Sequence, residues 1–197
     1  MPSTIFRPRH ARKRRRAAIP PEWDDLHDCE QVRYATRACL AAPVPLACSV
    51  DLSPRKQMQS SDRLRRSVVD HVERRLRRRV GILLVYDSTT NARLHVHLSI
   101  AARQGEQELI EAALYAAAGR WDSRQHRDRQ VHVQRLRDIG WSTYYLEHML
   151  PNGKIPPGRV LWSMTNPLRD IAKKLHRIDH ENQQKVKRKK SDGGAAN

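Results

Sequence analysis

The sequence predicts an α+β domain: an antiparallel sheet with helices packed on one face, carried between basic N- and C-terminal tails. Three observations predict it. Val80-Gly81-Ile82-Leu83-Leu84-Val85-Tyr86 is a continuous apolar run of strand length, suited to a central strand buried on both faces. Leu94-His95-Val96-His97-Leu98 alternates with period two, so Leu94, Val96 and Leu98 share one face and the two imidazoles the other. Between the first strand and these two, Leu64, Val68, Val72 and Leu76 repeat every four residues, the single apolar stripe of a helix lying on a sheet.

Taken in order, residues 1–21 form a basic arm. Arg12, Lys13, Arg14, Arg15 and Arg16 stand in a segment with almost nothing to bury, and such a block repels itself until a polyanion neutralises it. Either it contacts a nucleic-acid backbone or it only aids solubility. The domain spans residues 22–150. It begins with a short helix or irregular lead-in, in which Trp23, Leu26, Val32, Tyr34 and Leu40 cover part of the core. Pro43 and Pro45 break the chain, and Leu46–Asp51 reads as the first strand. Ser61 or Asp62 caps a helix running to about Arg79, whose outer face carries many arginines, Arg74, Arg75 and Arg78 among them. With few acids to balance them, a phosphate-facing surface is as good a reading as a solvated one.

Turn residues Asp87 to Asn91 then link the apolar strand to the histidine strand, so the two pair antiparallel. A helix from about Glu106 to Trp121 sets Leu109, Ile110, Ala113, Leu114, Ala117 and Trp121 on one face. After a polar loop come a last strand, Val131–Leu136, and a helix from Trp141 to about Leu150. Both helices that follow strands are needed over Leu94, Val96 and Leu98, so the face of His95 and His97 is expected to be open. Residues 151–184 form a helical extension with a stripe of Leu168, Ile171, Leu175 and Ile178, and with His176 and His180 facing solvent. Residues 185–197 form a second basic, disordered tail.

Charge bounds the partners. The chain has 38 Lys+Arg against 21 Asp+Glu, a net charge of +17, which points first to nucleic acid and second to an anionic surface. No apolar run approaches the ~20 residues that span a bilayer, so no membrane partner is expected. The three cysteines, Cys29, Cys39 and Cys48, lack paired spacing and read as reduced thiols of a cytoplasmic protein. No phosphate-binding GxxxxGK[ST] run occurs, so an ATPase motif is absent.

Two neutral imidazoles on one strand face can bind one divalent ion, although a half-exposed strand that merely carries two histidines reads the same way. On the last helix of the domain, Gly140-Trp141-Ser142-Thr143-Tyr144-Tyr145-Leu146-Glu147-His148 places adjacent tyrosines about 100° apart, so they do different work. Tyr145 falls nearer the core side and Tyr144 the polar side with His148; both also read as packing tyrosines with hydrogen-bonded hydroxyls.

The combination resembles the HUH endonucleases, named for His-hydrophobe-His, and within them the single-tyrosine replication initiators and relaxase-like proteins of plasmids and phages. The resemblance covers roughly residues 45–150. It rests on His95-Val96-His97 on a strand, on Asp87 eight residues earlier at the end of the neighbouring strand, and on Gly140-Trp141 followed by Tyr144 on a later helix. It implies a ferredoxin-like, HUH-type sheet. It implies Mn²⁺ or Mg²⁺ held by His95, His97 and Asp87, and a tyrosine nucleophile that nicks and rejoins single-stranded or hairpin DNA through a 5′-phosphotyrosine. A host helicase would be the partner supplying the missing ATPase. The sequence departs from the family at two points. Glu147 stands three residues after Tyr144 where the family often has Lys, whereas His148 stands three after Tyr145, so the nucleophile is Tyr144 or Tyr145. Asp87 is also shorter than the usual Glu. The alternative is a non-catalytic basic nucleic-acid-binding protein on the same fold.

Overall fold

In the computed structural model the described residues are 21–88, 94–121, 123–124, 128–142 and 160–192, with Ser88 and residues 187–192 described by backbone alone. The basic arm, the tip of the turn after Ser88, the tyrosine segment and the proline-rich link at 151–158 lie outside them.

After a 3₁₀ turn at Trp23–Asp25, the elements are α1 (Asp28–Leu40), β1 (Val44–Asp51), α2 (Pro54–Gln57), α3 (Ser61–Leu76), β2 (Ile82–Ser88) and β3 (Leu94–Ala102). Next come α4 (Gln107–Ala118), β4 (Val131–Arg135), β5 (Trp162–Met164) and α5 (Asn166–Asp192). The strands form one five-stranded sheet in the order β4-β1-β3-β2-β5, with every neighbouring pair antiparallel. The α+β class holds. The run from β1 through α3, β2, β3 and α4 to β4 is the β-α-β-β-α-β pattern of ferredoxin-like domains.

Alternation sorts the strand residues into two layers. Leu46, Cys48 and Val50 of β1, Ile82, Leu84 and Tyr86 of β2, and Leu94, Val96, Leu98 and Ile100 of β3 pack with Leu64, Val68 and Val72 of α3 and Ile110, Leu114 and Ala117 of α4. This is the expected helical layer. The opposite face is not left open as the sequence reading had it. Ala47, Leu83 and Val85 point that way and are covered by Val32, Ala35, Ala38 and Cys39 of α1 and by Leu168 and Ala172 of α5. The apolar alternation of β2 has hydrophobic residues on both sides, so both sides need a lid.

Helices α1 and α5 are fastened to each other. Arg37 forms an ion pair with Asp179 and lies over the Tyr34 ring, 5.3 Å from its centroid. Tyr34 meets His176 edge-on at 5.2 Å, and His176 meets Trp23 at 6.1 Å. His176 is therefore half-buried in an aromatic cluster rather than turned to solvent.

Several boundaries shift. The cap of α3 is Ser60, whose Oγ accepts from the Arg63 N–H, not Ser61 or Asp62. Ser61 is buried and its carbonyl accepts from the Tyr86 hydroxyl at 3.0 Å. The helix closes at Arg77 in the left-handed conformation, φ 54°, before reaching Arg79. Helix α4 stops at Ala118 because Gly119 takes φ +78°, and a Cβ there would lie 2.5 Å from the Ser53 hydroxyl. Trp121 lies past that stop, and Leu109 is exposed. On α5 the buried residues are Leu168 and Ala172, with Ile171 and Ile178 exposed, and the helix continues to Asp192 across the expected start of a tail at 185. Residues 162–164, inside the expected helical extension, pair with β2 as an edge strand.

A candidate metal site at the uncovered end of the sheet

The lid of α1 and α5 does not reach the far end of the strands, and the histidines stand where it stops. Strand register decides their neighbours. Across β1 and β3, Ser49 faces His97 and Asp51 faces His95. Across β2 and β3, Asp87 faces His95. One cross-strand row thus reads Asp51, His95, Asp87, and the next inward contains Ser49 and His97. All five side chains fall on the face opposite the α3–α4 layer, by the same alternation that sorted the core.

Exposure rises toward the rim. The side chains of His97, His95, Asp87 and Asp51 are 9%, 21%, 24% and 36% exposed. The open face expected from the sequence is not found at His97, which is buried against Trp141, whereas His95, Asp87 and Asp51 nearer the strand end are partly exposed.

Each imidazole is held by its Nδ1. His97 Nδ1 is 3.1 Å from the Ser49 hydroxyl, and His95 Nδ1 meets the Asp51 carboxylate. Fixing one ring nitrogen sets the orientation of the other, the usual support for a metal-binding histidine. His97 Nε2 lies 3.7 Å from Asp87 Oδ2, longer than a normal hydrogen bond. The Asp87 carboxyl is held below the usual carboxylate range first by its polar contact with the His97 ring and then by the charges of His97 and His95, against a burial that works the other way. It stays ionised, as a ligand for a hard cation must.

The donor set is two imidazole nitrogens and a carboxylate on adjacent strands, with Asp51 and Ser49 behind the histidines. Imidazole and carboxylate are both donor types that bind divalent ions. Among the described residues no group of three His, Cys, Asp and Glu side chains is placed to hold a metal ion as it stands. An ion would have to draw Asp87 and the two rings together.

The segment after β4 approaches this site. Residues 140–142 are helical. Trp141 meets His97 edge-on, with ring centroids 6.0 Å apart and planes at 80°. One residue on, the Ser142 hydroxyl bonds the buried Ser99 hydroxyl of β3 at 2.9 Å. These two contacts bring the start of the predicted tyrosine helix against the histidine strand.

No family model matches the chain, and neither the curated proteins nor the solved structures contain a significant match.

Of the residues singled out in the sequence, the structure brings His95, His97 and Asp87 together on one face. Tyr144, Tyr145 and His148 lie outside the described residues, as do Arg12 to Arg16. Arg74 and Arg75 are exposed, but α3 is on the other side of the sheet from the histidines. Arg78 is engaged with Glu106, by bonds of 2.8 and 2.5 Å, and is set aside as a phosphate ligand. Sequence reasoning missed Asp51 and Ser49. Their signal was the alternation of β1, in which Ser49 and Asp51 are the polar members facing away from Cys48 and Val50, but their partners depended on register. It also missed Arg135 and Arg137, which with Gln134 and Trp141 line a cleft of about 350 Å³ beside β4.

Proposed function

We propose that this protein is a metal-dependent nuclease and strand transferase of the HUH type, which nicks and rejoins single-stranded or hairpin DNA through a tyrosine. The observation that carries the reading is the arrangement of His95 and His97, each held at Nδ1 by a β1 side chain, with ionised Asp87 on the next strand. Among the described residues no helix is long and apolar enough to cross a membrane, in keeping with a partner in the aqueous phase.

His95, His97 and Asp87 would hold the ion, Mn²⁺ or Mg²⁺, which when bound supplies charge to polarise a non-bridging phosphate oxygen. The chain's own groups do the rest. Asp51 and Ser49 keep the rings aimed. Arg137 would offset phosphate charge from the cleft it lines with Trp141. Tyr144, or Tyr145 in its place, attacks phosphorus: its hydroxyl oxygen bonds to the phosphate, its proton leaves to a base, and the bond to the 3′ oxygen breaks. The products are a 5′-phosphotyrosine and a 3′-hydroxyl, and the reverse reaction joins strands. His148 is the basic group three residues after Tyr145. With no phosphate-binding loop in the sequence, unwinding falls to a host helicase, in plasmid or phage rolling-circle replication or DNA transfer in the cytoplasm.

The test is incubation of the full chain with single-stranded oligonucleotides and Mn²⁺, read on a denaturing gel. A covalent adduct lost in Tyr144→Phe and kept in Tyr145→Phe assigns Tyr144; the reverse assigns Tyr145. A chain that binds DNA and never forms an adduct is the non-catalytic binder.

A further inference from the structure

Helix α3 packs on the sheet through Leu64, Val68, Val69 and Val72. At 100° per residue, Arg63, Arg66, Asp70 and Arg74 fall within one band on the opposite side, and Arg77 follows as the left-handed residue that closes the helix. Arg63, Arg66, Arg74 and Arg77 are exposed. Arg66 is paired with Asp62, but no ion pair is formed by Arg63, Arg74 or Arg77 among the described residues. From Arg63 to Arg74 the ridge runs about 16 Å at 1.5 Å per residue. Arg55 and Lys56 of α2 precede the ridge, whereas α4 beside it carries Glu108 and Glu111.

This ridge faces away from the sheet on the side opposite His95 and His97. One DNA strand lying at the histidine rim cannot also lie along it. We propose that the outer face of α3 is a second nucleic-acid surface, which grips the phosphate backbone of a DNA duplex while the histidine face handles a separate strand. Duplex is favoured over single strand because α3 contains no Phe, Tyr or Trp. Unstacked bases are held by aromatic platforms, whereas duplex phosphates need only spaced guanidinium groups. The surface does not depend on the strand-cleavage reading.

The experiment measures binding of the full chain to a 20-base-pair duplex and to a single-stranded oligonucleotide by fluorescence anisotropy, between about 50 and 200 mM salt. The variants are Arg63→Ala/Arg74→Ala/Arg77→Ala and the same three positions changed to Lys. The expected result for the Ala variant is duplex affinity down roughly a hundredfold near 0.1 M salt, a log–log salt slope shallower by about three, and single-strand affinity within a few-fold of the parent. The Lys variant restores the slope, because charge rather than shape is required. Duplex binding and slope unchanged by the Ala variant would overturn the proposal. So would equal losses on duplex and single strand, or failure of Lys to restore binding. Metal-dependent adduct formation on the single strand, where it occurs, is unaffected by these variants, so the two readings fail separately.

Discussion

Asp51 and His95 stand opposite each other in the β1–β3 register, and the Asp51 carboxylate takes the Nδ1 of the His95 ring. Asp51 therefore decides which nitrogen of His95 points outward, without being a ligand itself. For Asp51→Asn the expected outcome is a 10–100-fold loss of Mn²⁺ affinity with little change in folding, since the side chain is at the rim. Titration calorimetry of the purified variant with Mn²⁺ measures it. Affinity within twofold of the parent would remove Asp51 from the site.

The two histidines should differ in what their loss does to the fold. His97 is buried under Trp141 and bonds Ser49, whereas His95 is partly exposed. His97→Ala leaves a polar hydroxyl short of a partner and a gap beside an aromatic ring, at a cost of about 1–3 kcal/mol. His95→Ala should cost less than about 1 kcal/mol. Urea unfolding of both variants checks the order; equal midpoints would contradict the burial difference.

Glu106 fixes the start of α4 to the loop before β2. Its carboxylate accepts two bonds from Arg78 and one, at 2.7 Å, from the Arg103 N–H. The Arg78 hydrogen bonds, more than the Arg103 N–H, hold its carboxyl below the usual range against the opposing effect of burial. The folded state thus binds this proton less readily than the unfolded chain. The stabilisation is complete above the unfolded value, near ~4.3 for Glu, and is lost as pH falls through the lower folded value. Glu106→Gln should cost about 1–2 kcal/mol at neutral pH and flatten the acid limb of the stability curve. Melting temperatures from pH 7 to pH 3 test both; a parallel acid limb in the variant would show that Glu106 is not part of it.

Cys39 and Cys48 are buried in separate layers, and burial pushes both thiols far above their ordinary value. Cys29 is partly exposed. A thiol-reactive reagent at pH 8 should label Cys29 quickly and the other two only after unfolding. Intact-mass spectrometry over time reads the count; rapid labelling of all three would mean that both layers open readily, α1 over Cys39 and α3–α4 over Cys48.

Local pattern carried much of this protein. The alternation in Leu94–Leu98 set both imidazoles on one face, and the four-residue stripe Leu64, Val68, Val72 set α3 on the other, because side-chain direction follows from backbone geometry a few residues long. Asp87 is singled out with the two histidines by the family resemblance, and the antiparallel register of β2 and β3 sets it opposite His95. What no local pattern contained was long-range. The apolar residues of β2 on both faces implied a second lid, yet only the packing of α1 and α5 shows which helices supply it. Asp51 and Ser49 became partners of the histidines through a register between strands more than forty residues apart. The arginines of α3, adjacent in composition to everything else basic in the chain, were separated from the histidines by the thickness of the sheet. Register and layer are settled by burial over the whole chain, so the residue types at the site were legible in the sequence, and their companions and their distance from the other charges were decided by the tertiary structure.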